Sequence, residues 1–393
     1  MKLGKVSEVC LKRSVLRQIK TRREEVVCGA GIGEDCAIFS FPKGESMAVC
    51  VQEAAVTTQR NLDREQEEAA RENVGCVQEE AARENVGCVQ EEAARKNVGC
   101  VQEEAVRGNV SQAVSKGAVC PEPFMTMAQL VQKCVNNLAA DGAEPAAALI
   151  ALLLPETAEE AELKELMREA EEKFGELSVE IAGGQTRVSA AVKCPLATVT
   201  CLGRLSVEGG YTAKAAMPGQ DVVVSKWIGL QGTALLARRY KEKLLARYPA
   251  YFVEEAAAFD RYHSILPEAA TAMKSGVCAM RDVSEGGIFG ALWELAEGAG
   301  VGLTIDMKKL PLRQETVEVC ECCNVNPYLL LSGGSLLMTA DDGEALVAAL
   351  AAEQIPAAVV GKVTEGNDRI LVNDGEVRYL DKPQSDGIWG GSA

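Results

Sequence analysis

Short apolar runs closed by glycine or proline alternate along this chain with apolar stripes at helical spacing. That alternation limits it to a mixed α/β or α+β fold. SMAVCVQEA (46–54) alternates as a strand does, and SVEIAGG and LATVTCLGRL are two more strands. Further strands are expected at 221–226, 301–306, 335–340, 357–363 and 369–373. Met125–Ala140 reads as a buried helix. Thr157 and Glu160 form a capping box ahead of a charged helix whose Leu163, Leu166, Met167, Ala170 and Phe174 share one stripe. A Pro-Gly turn in AAMPGQDVVVSK starts a fresh unit, which puts a domain boundary in VEGGYTAKA. The chain thus divides into residues 1–210 and 211–393, and 393 residues suit two domains.

Residues 56–116 interrupt this pattern with units of period twelve: CVQEEAARENVG from Cys76, again from Cys88 with Lys96 for Glu, and a decayed copy from Cys100. On a helix, twelve residues advance the apolar set by about 120°, so successive units share no buried face. Glycines at 75, 87 and 99 weaken a continuous helix further. The segment reads as an expanded surface loop, which costs little closure entropy. The alternative is an arm that binds metal through Cys76, Cys88 and Cys100. It lacks the close CxxC pairs of structural zinc sites.

Composition removes several function classes. The single histidine, His263, excludes multi-histidine metal centres and most Ser-His-Asp arrangements. The net charge of -16 argues against nucleic acid, whose phosphates need Lys and Arg. The repeat (64–109) holds eleven acidic and six basic residues, so it contributes -5 of that charge. The basic N-terminus lacks an apolar signal-peptide core, and the fifteen cysteines read as free thiols, so a cytoplasmic setting is expected. The longest apolar run, Ala146–Leu154, has nine residues and is too short to span a membrane. Cys320, Cys322 and Cys323 read as thiols on a helix end or as a soft-metal spot. His263 reads as structural or as a ligand contact, and the basic N-terminus as a solvated face or an anion guide.

Four glycine-rich spots could carry chemistry. GAGIGEDCAIF (29–39) presents Glu34 and Asp35 on a tight turn. GGQTRVS (183–189) would let backbone approach a ligand. SKWIGLQGTALLARRY (225–240) runs from a strand through glycines into a helix N-terminus, as does MRDVSEGGIFGALWELAEG (280–298), and such ends hold anions. Together they point to a phosphate-bearing ligand.

GIGEDCAIF, VNNLAADGAEP (135–145), GGQTRV, PGQDVVVSKWIGLQGT, MRDVSEGGIFGALWELAE and NPYLLLSGGSLLM (326–338) occur in an order that resembles the aminoimidazole ribonucleotide (AIR) synthetase-related superfamily. Its members include purine-pathway synthetases, selenophosphate synthetase, thiamine-monophosphate kinase and HypE. The resemblance is nearest to the HypE-like branch and spans nearly all the chain outside 56–116. It implies an N-terminal domain that pairs into a dimeric β-barrel, a C-terminal α/β domain, and ATP with Mg²⁺ at the interface. It also implies phosphorylation of an oxygen or amide of a small-molecule substrate. By this resemblance the nucleotide or phosphate contacts are Asp35, Asn136, Asn137, Gly183, Gly184, Gln185, Thr186, Lys226, Gly229, Gly232, Asp282, Ser284, Gly286 and Gly287. The metal contacts are Asp35 and Glu53, with Asp141 as a further carboxylate. No catalytic residue is assigned.

The departures matter as much. Asn137 stands where the family has Asp, Gln185 where it often has Asp, Glu or His, and Gln52-Glu53 where it has Thr-Asp. Exchanging carboxylates for amides weakens a Mg²⁺ site. No cysteine follows Cys323, so the cyanide chemistry of HypE, which uses a terminal cysteine, is not carried over. Three readings stay open: an ATP-dependent enzyme, a non-catalytic nucleotide-binding or scaffold relative, and a hydrogenase-maturation-like factor acting with a partner protein. A homodimer is expected in each, with no membrane or nucleic-acid partner.

Overall fold

A computed structural model describes residues 4–5, 10, 12–28, 38–39, 46–58, 61, 125–205 and 210–382. Its elements form two main sheets. The first contains β1 (Gly4–Lys5), β4 (Ser46–Thr57), β5 (Met125–Thr126), β6 (Ala143–Leu154), β7 (Glu180–Val188) and β8 (Leu196–Leu205), in the order β1-β7-β6-β8-β4-β5. A small ladder joins β2 (Val26–Cys28) to β3 (Ile38–Phe39). The second main sheet contains β9 (Asp221–Ser225), β10 (Val277–Val283), β11 (Gly302–Asp306), β12 (Ser335–Ala340), β13 (Ala357–Thr364), β14 (Arg369–Asn373) and β15 (Glu376–Tyr379). Its order is β10-β12-β9-β13-β11-β14-β15. Both sheets mix parallel and antiparallel pairs. The last strand of the first sheet ends at Leu205 and the first strand of the second begins at Asp221.

The helices Met127–Ala140 and Glu160–Glu176 cover one face of the first sheet, burying Leu130, Leu138, Leu163, Leu166 and Phe174 against Ile150, Leu152 and Val199. The other face carries Met47, Val49 and Val51 on alternate positions of β4, each about half exposed. The second sheet is covered on both faces. Val222 and Val224 of the central strand face the helix Gly287–Ala299, while Val223 faces the helices Leu266–Lys274 and Gly343–Ala352. All three valines are fully buried, as a central strand between two layers requires. Ala139 and Ala140, at the end of the first unit's helix, insert into this second core. That contact fixes the two sheets against each other.

Several sequence expectations change. The helix expected from Met125 starts at Met127, because Met125 and Thr126 pair with β4. Thr126 is its N-cap and forms a capping box with Gln129. The box expected at Thr157 and Glu160 is absent: Glu159 is the N-cap and makes no side-chain cap bond. Glu160 is instead taken by Arg13 and by Ser14 Oγ at 2.7 Å. Those partners lie far away in sequence, out of reach of a local pattern. The described part of the basic N-terminus keeps Arg13 and Arg22 exposed, as a solvated face would, while pairing them with acids. Arg13, Arg22 and Arg23 pair with Glu160, Glu180 and Glu25. Of the 56–116 insert, Val56 and Thr57 close β4. Residues 59–60 and 62–124, with Cys76, Cys88 and Cys100, lie outside the described residues.

The expected turn at Gly183–Thr186 is part of β7, in parallel register with Leu149–Leu152 of β6. Gly184 has φ +148°, and a Cβ there would sit 1.9 Å from the carbonyl oxygen of Ile150. The close backbone approach that needs glycine is to the neighbouring strand at a register shift, not to a ligand.

Candidate functional site

A cleft of about 570 Å³ opens where the two sheets meet. Its walls come from β4 (Gln52), the first helix (Lys133, Asn137), the helix C-cap Asp141, the 212–214 segment, and the end of β10 with the turn after it (Arg281, Asp282, Ser284). Lys133 and Asn137 are four residues apart and share a helix face. Asn136 points about 100° away and is fully buried. Its Nδ2 donates to the His263 carbonyl at 2.7 Å, and its Oδ1 accepts from Gln132 and from the Ile265 amide. Asn136 therefore pins a loop, while Asn137 faces the cleft.

Asp282 is the most perturbed group of this site. It is 7% exposed, and its Oδ1 finds no hydrogen-bond donor among the described residues. Burial pushes its carboxyl up to about 7, against the opposing pull of Lys133, Arg281 and Lys226. Burial also raises the Asp141 carboxyl, opposed by Arg281. Cations ring the site but are held by acids at its rim: Lys133 pairs with Glu285 and Arg281 with Glu294.

The second unit's other glycine loop is occupied by protein. Lys226 lies in the left-handed region at φ +50° and is 7% exposed. Its Nζ donates to the carbonyls of Tyr262 (2.8 Å) and Ser264 (2.6 Å) and pairs with Glu268 at 2.6 Å. Burial lowers its pKa, and Glu268 opposes that shift. Gly229 is the N-cap of the helix Leu230–Arg239, and its amide donates to Ser332 Oγ at 2.7 Å. The Gly232 amide donates to the Leu331 carbonyl, and a Cβ on Gly232 would lie 2.4 Å from Leu330. The NPYLLLSGG segment thus covers the helix N-terminus that looked like an anion site. Gly286 caps the helix Gly287–Ala299; the Gly287 and Phe289 amides there are committed to the Ser284 and Tyr328 carbonyls.

The structure therefore gathers Asn137, Asp282 and Ser284 with Gln52 and Asp141, and the other expected contacts among the described residues are not part of that lining. Glu53 is on the opposite face of β4 from Gln52, as strand alternation dictates, and accepts from Thr198 Oγ1 at 3.0 Å. It does not join the cleft carboxylates. Gly183, Gly184, Gln185 and Thr186 lie on β7, away from the cleft, and Asp35 lies outside the described residues. His263 is buried, its pKa driven down to about 4 by burial, so it is neutral and structural. Cys320 and Cys322 pack with Leu236, Leu244, Val253 and Leu330. Among the described residues no group of three His, Cys, Asp or Glu is placed to hold a metal ion. Sequence reading missed Lys133 and Arg281. The i,i+4 spacing of Lys133 to Asn137, and the adjacency of Arg281 to Asp282, were the available signals.

Comparisons with known proteins bear on the family and the fold. The model for the N-terminal domain of AIR synthase related proteins matches residues 104–205, and that for the C-terminal domain matches residues 217–373. The chain is 30% identical to the carbamoyl dehydratase HypE of Rhodobacter capsulatus, over 63% of this chain and 73% of that protein. A crystal structure of the hydrogenase maturation protein HypE in complex with ATP superposes with TM-score 0.66 at 16% identity, covering 98% of this chain and 97% of the other. A HypE chain from a HypE–HypF complex gives TM-score 0.56 at 23% identity over 65% and 84%. At those identities the structural likeness concerns the fold. Among the described residues no helix is long and apolar enough to cross a membrane.

Proposed function

The chain belongs to the AIR synthase related family, and on that premise we propose that it uses ATP and Mg²⁺ to activate an oxygen or amide of a small substrate by phosphorylation. The observation that carries this reading is the unpartnered, buried Asp282 carboxyl at the base of a polar cleft. Asp282 and Asp141 are both raised by burial that the nearby cations only partly offset, and a divalent cation would supply the rest. Mg²⁺ takes one or two carboxylates and fills its remaining positions with water and phosphate oxygens. The residues present therefore fit the group. Asp282 and Asp141 would hold the cation, with Asp35 as a further contact, and Lys133, Arg281 and Lys214 would face phosphate.

When bound, the magnesium nucleotide supplies the transferable phosphoryl group and neutralises its charge. The chain's own residues bind and orient, which is most of what phosphoryl transfer asks of a protein. The Asn137 and Gln52 amides offer both donors and acceptors to an amide or hydroxyl substrate. The Asp282 carboxyl, raised to about 7 by burial, gives up its proton when it takes the cation, so magnesium binding strengthens as pH rises through that range. We assign the exposed Met47, Val49 and Val51 face to contact with a second copy of this chain, in keeping with the homodimeric barrel expected from the family. On this reading Glu53 and Gln185, which the cleft leaves out, meet that second copy. Free thiols at the described cysteines support a cytoplasmic setting.

The test is ADP release from ATP by the purified full chain with and without magnesium. Release that requires magnesium and is abolished by Asp282→Ala, with the fold retained, supports the reading. The amides at 52 and 137 favour a second reading, a relative that binds nucleotide without turning it over. Nucleotide binding with no ADP release above the no-enzyme control supports that one. HypE has been crystallised with HypF. A maturation-like role with a partner protein would be seen as specific co-purification of such a partner with this chain from its native host.

A further inference from the structure

Three free thiols stand together beneath the cleft. Cys50 on β4 and Cys201 on β8 are register partners across an antiparallel pair, so both side chains point to the face covered by the helix Met127–Ala140. Cys134 descends between them from that helix. Its Sγ donates toward the carbonyls of Cys50 and Val199, each at 3.5 Å. Its thiol lies near enough to those of Cys201 and Cys50 to interact electrostatically with each. Cys134 and Cys201 are fully buried, whereas Cys50 is half-buried. Cys50 is also the thiol next to the cleft. Asn137 Nδ2 and Gln52 Nε2, both in the cleft lining, donate to its sulfur at 3.5 and 3.8 Å.

We propose that Cys50 and Cys134 form a modification site: a dithiol beneath the cleft lining that closes to a disulfide when it meets an oxidised low-molecular-weight disulfide and reopens with excess thiol. Cys50, the accessible member, enters first. Its thiolate attacks one sulfur of the small disulfide, and the expelled thiolate takes up the proton. The Cys134 thiolate then attacks the Cys50 sulfur of the mixed disulfide, forming the internal bond and expelling the second small thiol. Two protein thiols are oxidised and one small disulfide is reduced to two thiols, so no other oxidant is needed.

The neighbouring thiol of Cys134 acts on Cys50, that of Cys201 acts on Cys134, and both sites are desolvated. These effects hold both thiols far above the ordinary range. Thiolate is therefore scarce at neutral pH, and closure is slow and speeds up with alkalinity. The bond would tie β4 to the first helix and change the sulfur that the Asn137 and Gln52 amides hold. That effect on the cleft rests on the nucleotide reading above; the bond itself does not.

The test uses the full chain, equilibrated with oxidised glutathione at two alkaline pH values, then alkylated and digested for mass spectrometry. The expected product is a linked peptide pair containing Cys50 and Cys134, forming faster at the higher pH. It is reversed by dithiothreitol, lost in Cys134→Ser and in Cys50→Ser, and kept in Cys201→Ser. In parallel, the rise in melting temperature caused by magnesium-ATP should differ between the oxidised and reduced protein, and that difference should vanish in Cys134→Ser. Recovery of Cys50 only as free thiol or as a glutathione adduct overturns the proposal, as does its linkage to any cysteine other than Cys134. A Cys50–Cys134 link in a protein whose reduced form shows no nucleotide-induced shift upholds the dithiol and overturns the nucleotide reading.

Discussion

Asp282 and His263 are buried groups displaced in opposite directions by the same cause. Desolvation holds Asp282 up at about 7, from 3.8, and pushes His263 down to about 4, from 6.5. Between 3.8 and 7 the native state keeps a proton on Asp282 that the unfolded chain has lost, so this group makes stability fall as pH rises. Between 4 and 6.5 the unfolded chain carries a proton on His263 that the native state lacks, so this group makes stability rise with pH. Each slope is up to about 1.4 kcal/mol per pH unit, and the two windows overlap. Urea unfolding across this range should show a steeper rise of stability with pH in Asp282→Asn than in the parent chain, and a steeper fall in His263→Gln. Slopes left unchanged by both substitutions would contradict the assignment.

Lys226 offers a second residue-scale prediction. Lys226→Met leaves Glu268 buried without its cation, at a cost of about 3–5 kcal/mol in urea unfolding. Lys226→Met with Glu268→Leu should recover most of that loss, which a lysine serving only a phosphate would not do. These residues also show what a sequence motif leaves undecided. Asn136 and Lys226 stand in strings that resemble nucleotide-binding motifs, yet both clamp the 262–265 loop. Asn137, one residue on, faces the cleft. A spacing pattern records which residue types are near one another; which way each points was decided by partners distant in sequence, 36 and 38 residues on for Lys226 and 127 for Asn136.

At the scale of elements, many strands were legible because alternation and apolar runs are local, as Val222–Val224 illustrates, but β6 (Ala143–Leu154) and β10 (Val277–Val283) were not among those expected. The ends of elements were less so. Capping-box logic found a box at Thr157 that does not form and passed over the one at Thr126. Both segments carry the residue types, and tertiary partners chose between them. Thr126→Ala removes the cap of the helix that presents Lys133 and Asn137, and is expected to cost about 1 kcal/mol (range 0.5–2) in urea unfolding. Because the cap lies a full turn from the cleft, nucleotide affinity should change far less than stability. Gly184 makes a related point. A glycine pair after a strand reads as a turn, but here the strand continues, and the glycine admits the backbone of β6 at a register shift.

At the scale of the molecule, the two-sheet α/β architecture followed from the order of the motifs. The cleft did not, since it depends on Ala139 and Ala140 entering the second core and so bringing β4 opposite β10. Among the described residues the first sheet is covered by helices on one side. If a second copy covers the other, Val49→Glu with Val51→Glu should convert a dimer to a folded monomer in sedimentation analysis. A parent chain that is already monomeric would contradict the dimer. The central claim is that the junction between the two sheets binds a magnesium nucleotide, and calorimetric titration of the full chain with magnesium-ATP tests it most directly. The account predicts saturable binding that needs magnesium and is lost or severely weakened in Asp282→Ala, while Lys226→Met with Glu268→Leu keeps it. No binding heat at millimolar nucleotide, or binding indifferent to Asp282, would contradict it.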